Sequence, residues 1–175
     1  MASLAVDPLA AVHSTWQFKG DDMSHQTDEG KGHEHFSVHC FNSAWELMDK
    51  AKRTSVEDED MLRLSMASCW HWTQRADCTN QQLSVGYWQV SRIHSMLGRS
   101  IEARRYGELC LAASQDSTVA PFSLAYAYEA LARSSAIAKN DAMKRKYIDL
   151  ANKVIETISD TEMKTMLVND LATIP

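Results

Sequence analysis

From Phe36 to the end of the chain, apolar side chains recur at spacings of three and four with hardly a break, a period that packed helices satisfy and sheets do not. No stretch has the period-two alternation, the β-branched enrichment or the Asn-Gly and Asp-Gly turns of a hairpin. The pattern predicts an all-α fold of about seven helices. The first, about Phe36 to Lys52, carries Phe41, Ala44, Leu47, Met48 and Ala51 on one stripe. The second opens with Ser55 or Glu57, followed by Asp58, Glu59 and Asp60, acids that suit the positive end of a helix dipole, and runs to about Arg75. The third begins near Thr79 or Asn80 and stops at Leu97-Gly98, where glycine can take the left-handed terminating conformation. The remaining four run from about Ile101 to Ser114, Pro121 to Ala138, Ala142 to Thr157 and Asp160 to Thr173.

Connections of a few residues force consecutive helices antiparallel, so the expected architecture is a stack of helix hairpins. Helix starts at about 36, 80 and 119 give an internal period of 44 and then 39 residues, near that of helix-pair repeats. The fifth helix contains Ala120, Ala125, Ala127, Ala130, Ala132, Ala136 and Ala138, small enough to admit neighbours on several sides, which predicts a central position. A chain of 175 residues can bury about 70% of its unfolded surface and needs no disulfide or structural metal to fold.

The segment Tyr87-Trp88-Gln89-Val90-Ser91-Arg92 through Leu97-Gly98-Arg99-Ser100-Ile101-Glu102-Ala103 to Cys110-Leu111 resembles a tetratricopeptide repeat. The likeness rests on an early aromatic, small Ser91 at the helix crossing, Gly98 at the turn, Ala103 five residues on and Cys110 seven after that. It departs from the pattern at His94 and Gly107, where aromatics are usual, and lacks a closing proline. A weaker copy spans Ala125 to Ala151 with Leu131-Ala132 at the crossing, and the resemblance extends over roughly residues 36 to 157. It implies a right-handed superhelix in which the first helix of each pair lines a concave face and a final helix caps the stack. The combination Ala-Ser-x-x-His-Trp, Trp-Gln-x-Ser-Arg and Ala-Tyr-Glu-Ala-Leu-Ala-Arg is also similar to bacterial proteins of this type, a likeness that bears on fold and implies no activity.

Residues 1–35 read as a largely irregular tail ahead of a helical domain at 36–175. Residues 19–34 hold three of the six glycines and almost no apolar side chain, too little to offset the entropy of ordering. Residues 1–18 contain Leu4, Val6, Leu9, Val12, Trp16 and Phe18, enough for a short docked element, unless Met23 is the biological start. The tail through residue 35 has six acids and two bases, a net charge of −4 out of −5 for the whole chain. The densest basic stretch, Lys144-Arg145-Lys146, has Asp141 and Asp149 beside it and reads as a solvated helix face, so no nucleic-acid partner is expected. No run of 18 apolar residues and no secretory pattern at the start are present, so neither a membrane partner nor export is expected and the location is read as cytoplasmic. Cys40, Cys69, Cys78 and Cys110 form no Cys-x-x-Cys pair, and Cys40, Cys69 and Cys110, within apolar helical patterns, read as small hydrophobes.

The first, third and fifth helices would line the groove that the resemblance implies. On the fifth, Phe122, Tyr126, Glu129 and Arg133 share a face at spacings of four, three and four. On the third, Gln89, Arg92 and Met96 do so beside Trp88, and on the first Asn42, Glu46 and Asp49. Glu46, Trp88, Gln89, Arg92, Tyr126, Glu129 and Arg133 are therefore the candidate partner-binding residues, able to hold a peptide or a carboxylate through an arginine fork. The competing reading is an inter-helix salt-bridge network of Glu129, Arg133 and Arg92 that fixes the stack. His71, between Trp70 and Trp72, reads as a packed histidine, and the tryptophans as core. His33, His35 and His39, with Cys40 and His25 nearby, have a spacing that could chelate a divalent ion, but the sequence offers no second shell and no metal site is assigned.

Gly-x-Ser-x-Gly, Gly-x-Gly-x-x-Gly and Gly-Lys-Ser/Thr motifs are absent from the sequence, so no catalytic residue and no cofactor is assigned. The expected function is a non-enzymatic scaffold or adaptor that binds a protein or peptide. The alternative is a small-molecule sensor or enzyme using Arg92, Glu129 and Arg133 with His71 or His94, and an enclosed cavity rather than an open groove would favour it. Met163, Met166, Leu167, Leu171 and Ile174 make the seventh helix a cap. The opposite end, with Phe36, Val38 and Phe41, calls for cover by the tail or by a second copy of the chain in a weak homodimer.

Overall fold

The computed structural model describes residues 28–175, which form seven α-helices and no strand. They are α1 (Asp28–Met48), α2 (Ser55–Thr73), α3 (Asn80–Met96), α4 (Ser100–Ser114), α5 (Pro121–Ile137), α6 (Asp141–Thr157) and α7 (Thr161–Ala172). The closest packing is within the pairs α1–α2, α3–α4 and α5–α6, and α4 lies against α5, so the chain is a stack of helix hairpins with α7 added against α5 and α6.

Local chemistry sets the helix ends. Thr54 and Glu57 form a reciprocal capping box at the start of α2, and Thr79 and Gln82 form a second at the start of α3. Pro121 opens α5 where its missing N–H is no loss, and the Asp160 carboxylate accepts from the Glu162 and Met163 N–H groups at the start of α7. The helices α3 and α5 close with the same hydrogen-bond pattern. Arg99 N–H donates to His94 O and Gly98 N–H to Ser95 O, while Asn140 N–H donates to Ser135 O and Lys139 N–H to Ala136 O. The residue at the left-handed position is Gly98 (φ 72°) in the first case and Lys139 (φ 57°) in the second, where a Cβ carries a steric cost.

The aromatic core runs through the first helix of each hairpin. Phe41 and Trp45 of α1 are 6.3 Å apart, Trp45 stacks on Trp88 of α3 at 5.6 Å, and Trp88 meets the Tyr126 ring of α5 edge-on at 5.3 Å. All four are at most 2% exposed. Gln89 Nε2 also crosses from α3 to donate to Phe41 O at 3.0 Å. The expected central position of α5 is observed: Ala125, Ala127, Ala130 and Ala132 are buried and its neighbours are α3, α4, α6 and α7. The two departures from the repeat pattern have local explanations. His94 stacks on Tyr106 at 5.6 Å, and a Cβ at Gly107 would lie 3.0 Å from Leu131 Cδ2, so the missing side chain lets α4 approach α5.

The first helix begins earlier than expected. Residues 28–34 form two turns of α1 rather than part of an irregular tail, so the division at residue 35 falls inside a helix. Gly30 and Gly32 each cost about 1 kcal/mol relative to alanine in a helix interior, a local preference against helix here. Tertiary contacts outweigh it: Glu34 is buried, Arg75 Nη1 reaches Ser37 Oγ at 2.9 Å, and the His33 ring meets Trp70 and His71 of α2. The segment 1–18, His25 and the rest of the 19–34 stretch lie outside the described residues. At this end Phe41 is covered and Val38 half-buried, while Phe36 remains 45% exposed.

Replacing Lys139 with glycine relieves the left-handed strain and loses only an exposed side chain. The Lys139→Gly variant is expected to be more stable by roughly 0.5–1 kcal/mol in urea unfolding, the strain relief being partly offset by the extra freedom of glycine in the unfolded chain.

Candidate functional site

The sequence places Trp88 and Arg92 one turn apart on α3 and Glu129 and Arg133 one turn apart on α5, so two facing helices present an indole, a carboxylate and two guanidinium groups to one another. Glu129 has no exposure to water. Its Oε2 accepts from Trp88 Nε1 at 2.9 Å, and its Oε1 accepts from Arg92 Nη1 at 2.9 Å and Arg133 Nε at 2.7 Å. The cap joins the same cluster. Arg92 Nη2 lies 3.5 Å from Asp170 Oδ1 of α7, and Arg133 Nη2 donates to Asp170 O at 3.0 Å and Thr173 Oγ1 at 2.7 Å. The Tyr126 hydroxyl of α5 completes the setting beside the Asp170 carboxyl.

Two buried carboxyls thus share two guanidinium groups. Burial opposes charge on both, but Arg133 and Arg92, with the Trp88 donor, hold the Glu129 carboxyl below its usual range. Asp170 has the poorer contacts. Burial first and the Glu129 charge second push it up to about 7, against the pull of Arg92 and Arg133. Burial also raises the Tyr126 phenol, so it remains a neutral donor.

On the open side of this cluster is a half-open cavity of about 240 Å³ lined by Arg92, Ser95, Met96, Arg133, Ile137 and Pro175. Its polar groups are unequal in availability. Arg133 engages Glu129, Asp170 O, Thr173 O and Thr173 Oγ1, which occupies most of its donors. Among the described residues, Arg92 spends one N–H on Glu129 and one, at long range, on Asp170, leaving three of the five that a guanidinium carries. Ser95 is 7% exposed and its hydroxyl has no hydrogen-bond partner among the described residues.

The candidate partner-binding residues separate on this evidence. Arg92, Glu129 and Arg133 come together with Trp88 and Tyr126 as an inter-helix network, the competing reading of the sequence, and Gln89 is bonded to α1. Trp88, Gln89, Tyr126 and Glu129 are at most 2% exposed and therefore line no groove. The physical reason is that α3 and α5 pack face to face, and the polar stripe that a concave surface would expose becomes their interface. Glu46 is exposed on α1, apart from the cluster. The spacing of Arg92 and Ser95 on α3 could have pointed to the cavity, but Asp170, Thr173 and Pro175 arrive from the far end of the chain and carry no local signal.

The histidines are distributed elsewhere. His94 faces Tyr106, and His71 meets His33 with Nδ1 atoms 2.9 Å apart, so neither lines the cavity. His35 and His39 stack on each other at 5.3 Å, so the three-histidine spacing is split over two places, and the described residues contain no group of three or more metal-ligating side chains. Trp45 and Trp72 are core residues, whereas Trp70 is 55% exposed beside His33, a departure from the expected core stripe. Burial pushes the Cys110 thiol up to about 12, which keeps it protonated. No helix among the described residues is long and apolar enough to cross a membrane. No family model, curated protein or solved structure matches the chain.

Removing the acceptor at the centre leaves two buried guanidinium groups facing each other. Glu129→Leu is expected to lower the unfolding free energy by about 3–5 kcal/mol in urea titration. A second expectation concerns pH. The folded protein holds the Asp170 proton more tightly than the unfolded chain, so this group's contribution to stability falls as pH rises between about 4 and about 7. Melting temperatures measured across that window should therefore decline for wild type relative to Asp170→Asn, with the two curves running parallel above it.

Proposed function

We propose that this chain is a non-enzymatic binding module of helical-repeat type, in which the cavity beside the Arg92–Glu129–Arg133 network anchors a segment of a protein or peptide partner. The observation that carries this reading is the cavity itself, where spare donors of Arg92 and the unpartnered Ser95 hydroxyl adjoin the apolar walls of Met96 and Ile137. The hairpin stack and the resemblance to tetratricopeptide repeats support it, since such stacks commonly present binding surfaces. Size favours a peptide over a whole small molecule. At about 240 Å³ the cavity is smaller than the roughly 300–1,000 Å³ of small-molecule and cofactor sites, so it takes one anchoring residue while the rest of the ligand lies outside. The small-molecule sensor or enzyme reading also drew on His71 or His94, and neither reaches this place.

The test is a peptide array of random sequences displayed with internal, amidated and free termini, probed with the full chain and with Ile137→Trp, whose indole occupies the cavity. Wild type is expected to retain a set of peptides that Ile137→Trp loses at least tenfold, with circular dichroism showing both variants folded. Ser95→Leu fills the same space from α3 and serves if the tryptophan is not tolerated. Equal retention by wild type and the filled variants, or no retention by any of them, would overturn the reading.

A further inference from the structure

We propose that the anchor is the free α-carboxylate of a peptide's last residue, held by the Arg92 guanidinium and the Ser95 hydroxyl, with an apolar last side chain against Met96 and Ile137. This rests on the cavity being a peptide-binding site and names the ligand chemistry it selects. Three observations converge on a carboxylate. Among the described residues Arg92 keeps three donors beyond those given to Glu129 and Asp170, and a planar fork of this kind matches the two oxygens of a carboxylate. Ser95 is buried at the cavity wall with its hydroxyl unpartnered among the described residues, and an anionic oxygen is a strong acceptor for it.

Charge supplies the third. The groups facing Arg92 are Tyr126, Glu129 and Arg133 from α5 and Asp170 from α7. With Asp170 held up to about 7, the cluster carries two positive charges against one full negative charge below that pH. A buried positive charge without a counter-charge is costly, and an incoming carboxylate supplies one.

The apolar walls distinguish a chain terminus from an acidic side chain. In about 240 Å³ only one residue fits, and its carboxylate must meet Arg92 while apolar atoms meet Met96 and Ile137. A C-terminal leucine, isoleucine or methionine carries both on one α-carbon. An internal aspartate or glutamate brings the carboxylate without the apolar group.

The experiment uses the full chain and fluorescein-labelled hexapeptides of the form Gly-Ser-Gly-Ser-Ala-X, with every amino acid at X, each as free acid and as amide, read by fluorescence anisotropy. Internal Asp and Glu peptides with amidated ends, and free leucine as competitor, complete the set. The expected result is binding of free acids with apolar X, weakened at least tenfold by amidation and about tenfold by Ser95→Ala, the equivalent of one charge-assisted hydrogen bond. Arg92→Lys, which keeps the charge and loses the fork, should weaken the free acids and leave the amides unchanged. Equal binding of acid and amide, or tighter binding of the internal acids, overturns the carboxylate assignment while leaving a peptide site sensitive to Ile137→Trp intact. Competition by free leucine at the affinity of the peptides overturns the peptide source in favour of a small acid. No binding by any hexapeptide overturns the inference, and the array comparison of wild type with Ile137→Trp shows separately whether the wider reading falls with it.

Discussion

Glu129 is a carboxylate with no access to water, and the packing of α3, α5 and α7 depends on how it is satisfied. An isolated charge there would not survive folding; it would be protonated or exclude its helix from the core. Three donors from two helices remove that penalty, and because Arg92 and Arg133 also reach Asp170, Thr173 or both, the same network fixes the cap to the stack. The cavity lies beside this arrangement, with Arg92 and Arg133 in its wall next to Ser95.

A buried ion cluster of this kind is seldom the most stable solution, since apolar residues of similar size often do as well. It does specify alignment. Trp88 and Glu129 can meet only when α3 and α5 are in one register, and Asp170 O and Thr173 can meet Arg133 only when α7 docks at one place. The aromatic ladder from Phe41 to Tyr126 supplies apolar burial along the same line, with less demand on register.

Two of the hairpins share the chemistry of their turns. Helices α3 and α5 end in the same pattern of two backbone hydrogen bonds, one with glycine and one with lysine at the left-handed position. At Lys139 the backbone takes the same left-handed turn without the glycine that would mark it in the sequence.

Helix number, order and most boundaries were legible because they depend on neighbours in the chain: the three-and-four spacing of apolar residues, the acids after Ser55, Thr79, Gly98, Pro121 and Asp160. The sequence also brought Glu129, Arg133 and Arg92 to notice, since their spacings put them on facing stripes. It could not decide whether those stripes face water or each other. That choice depends on how closely α3 and α5 approach, and on Asp170 and Thr173 arriving from a helix some forty residues further on. Residues 28–34 went the same way: their glycines argue locally against a helix, and only contacts with His71 and Trp70 on α2 and with Arg75 just beyond its end make one. Local rules determined the elements, because helix formation is settled within a few turns. Tertiary structure decided the site, because pairing buried charges requires partners that sequence spacing does not bring together.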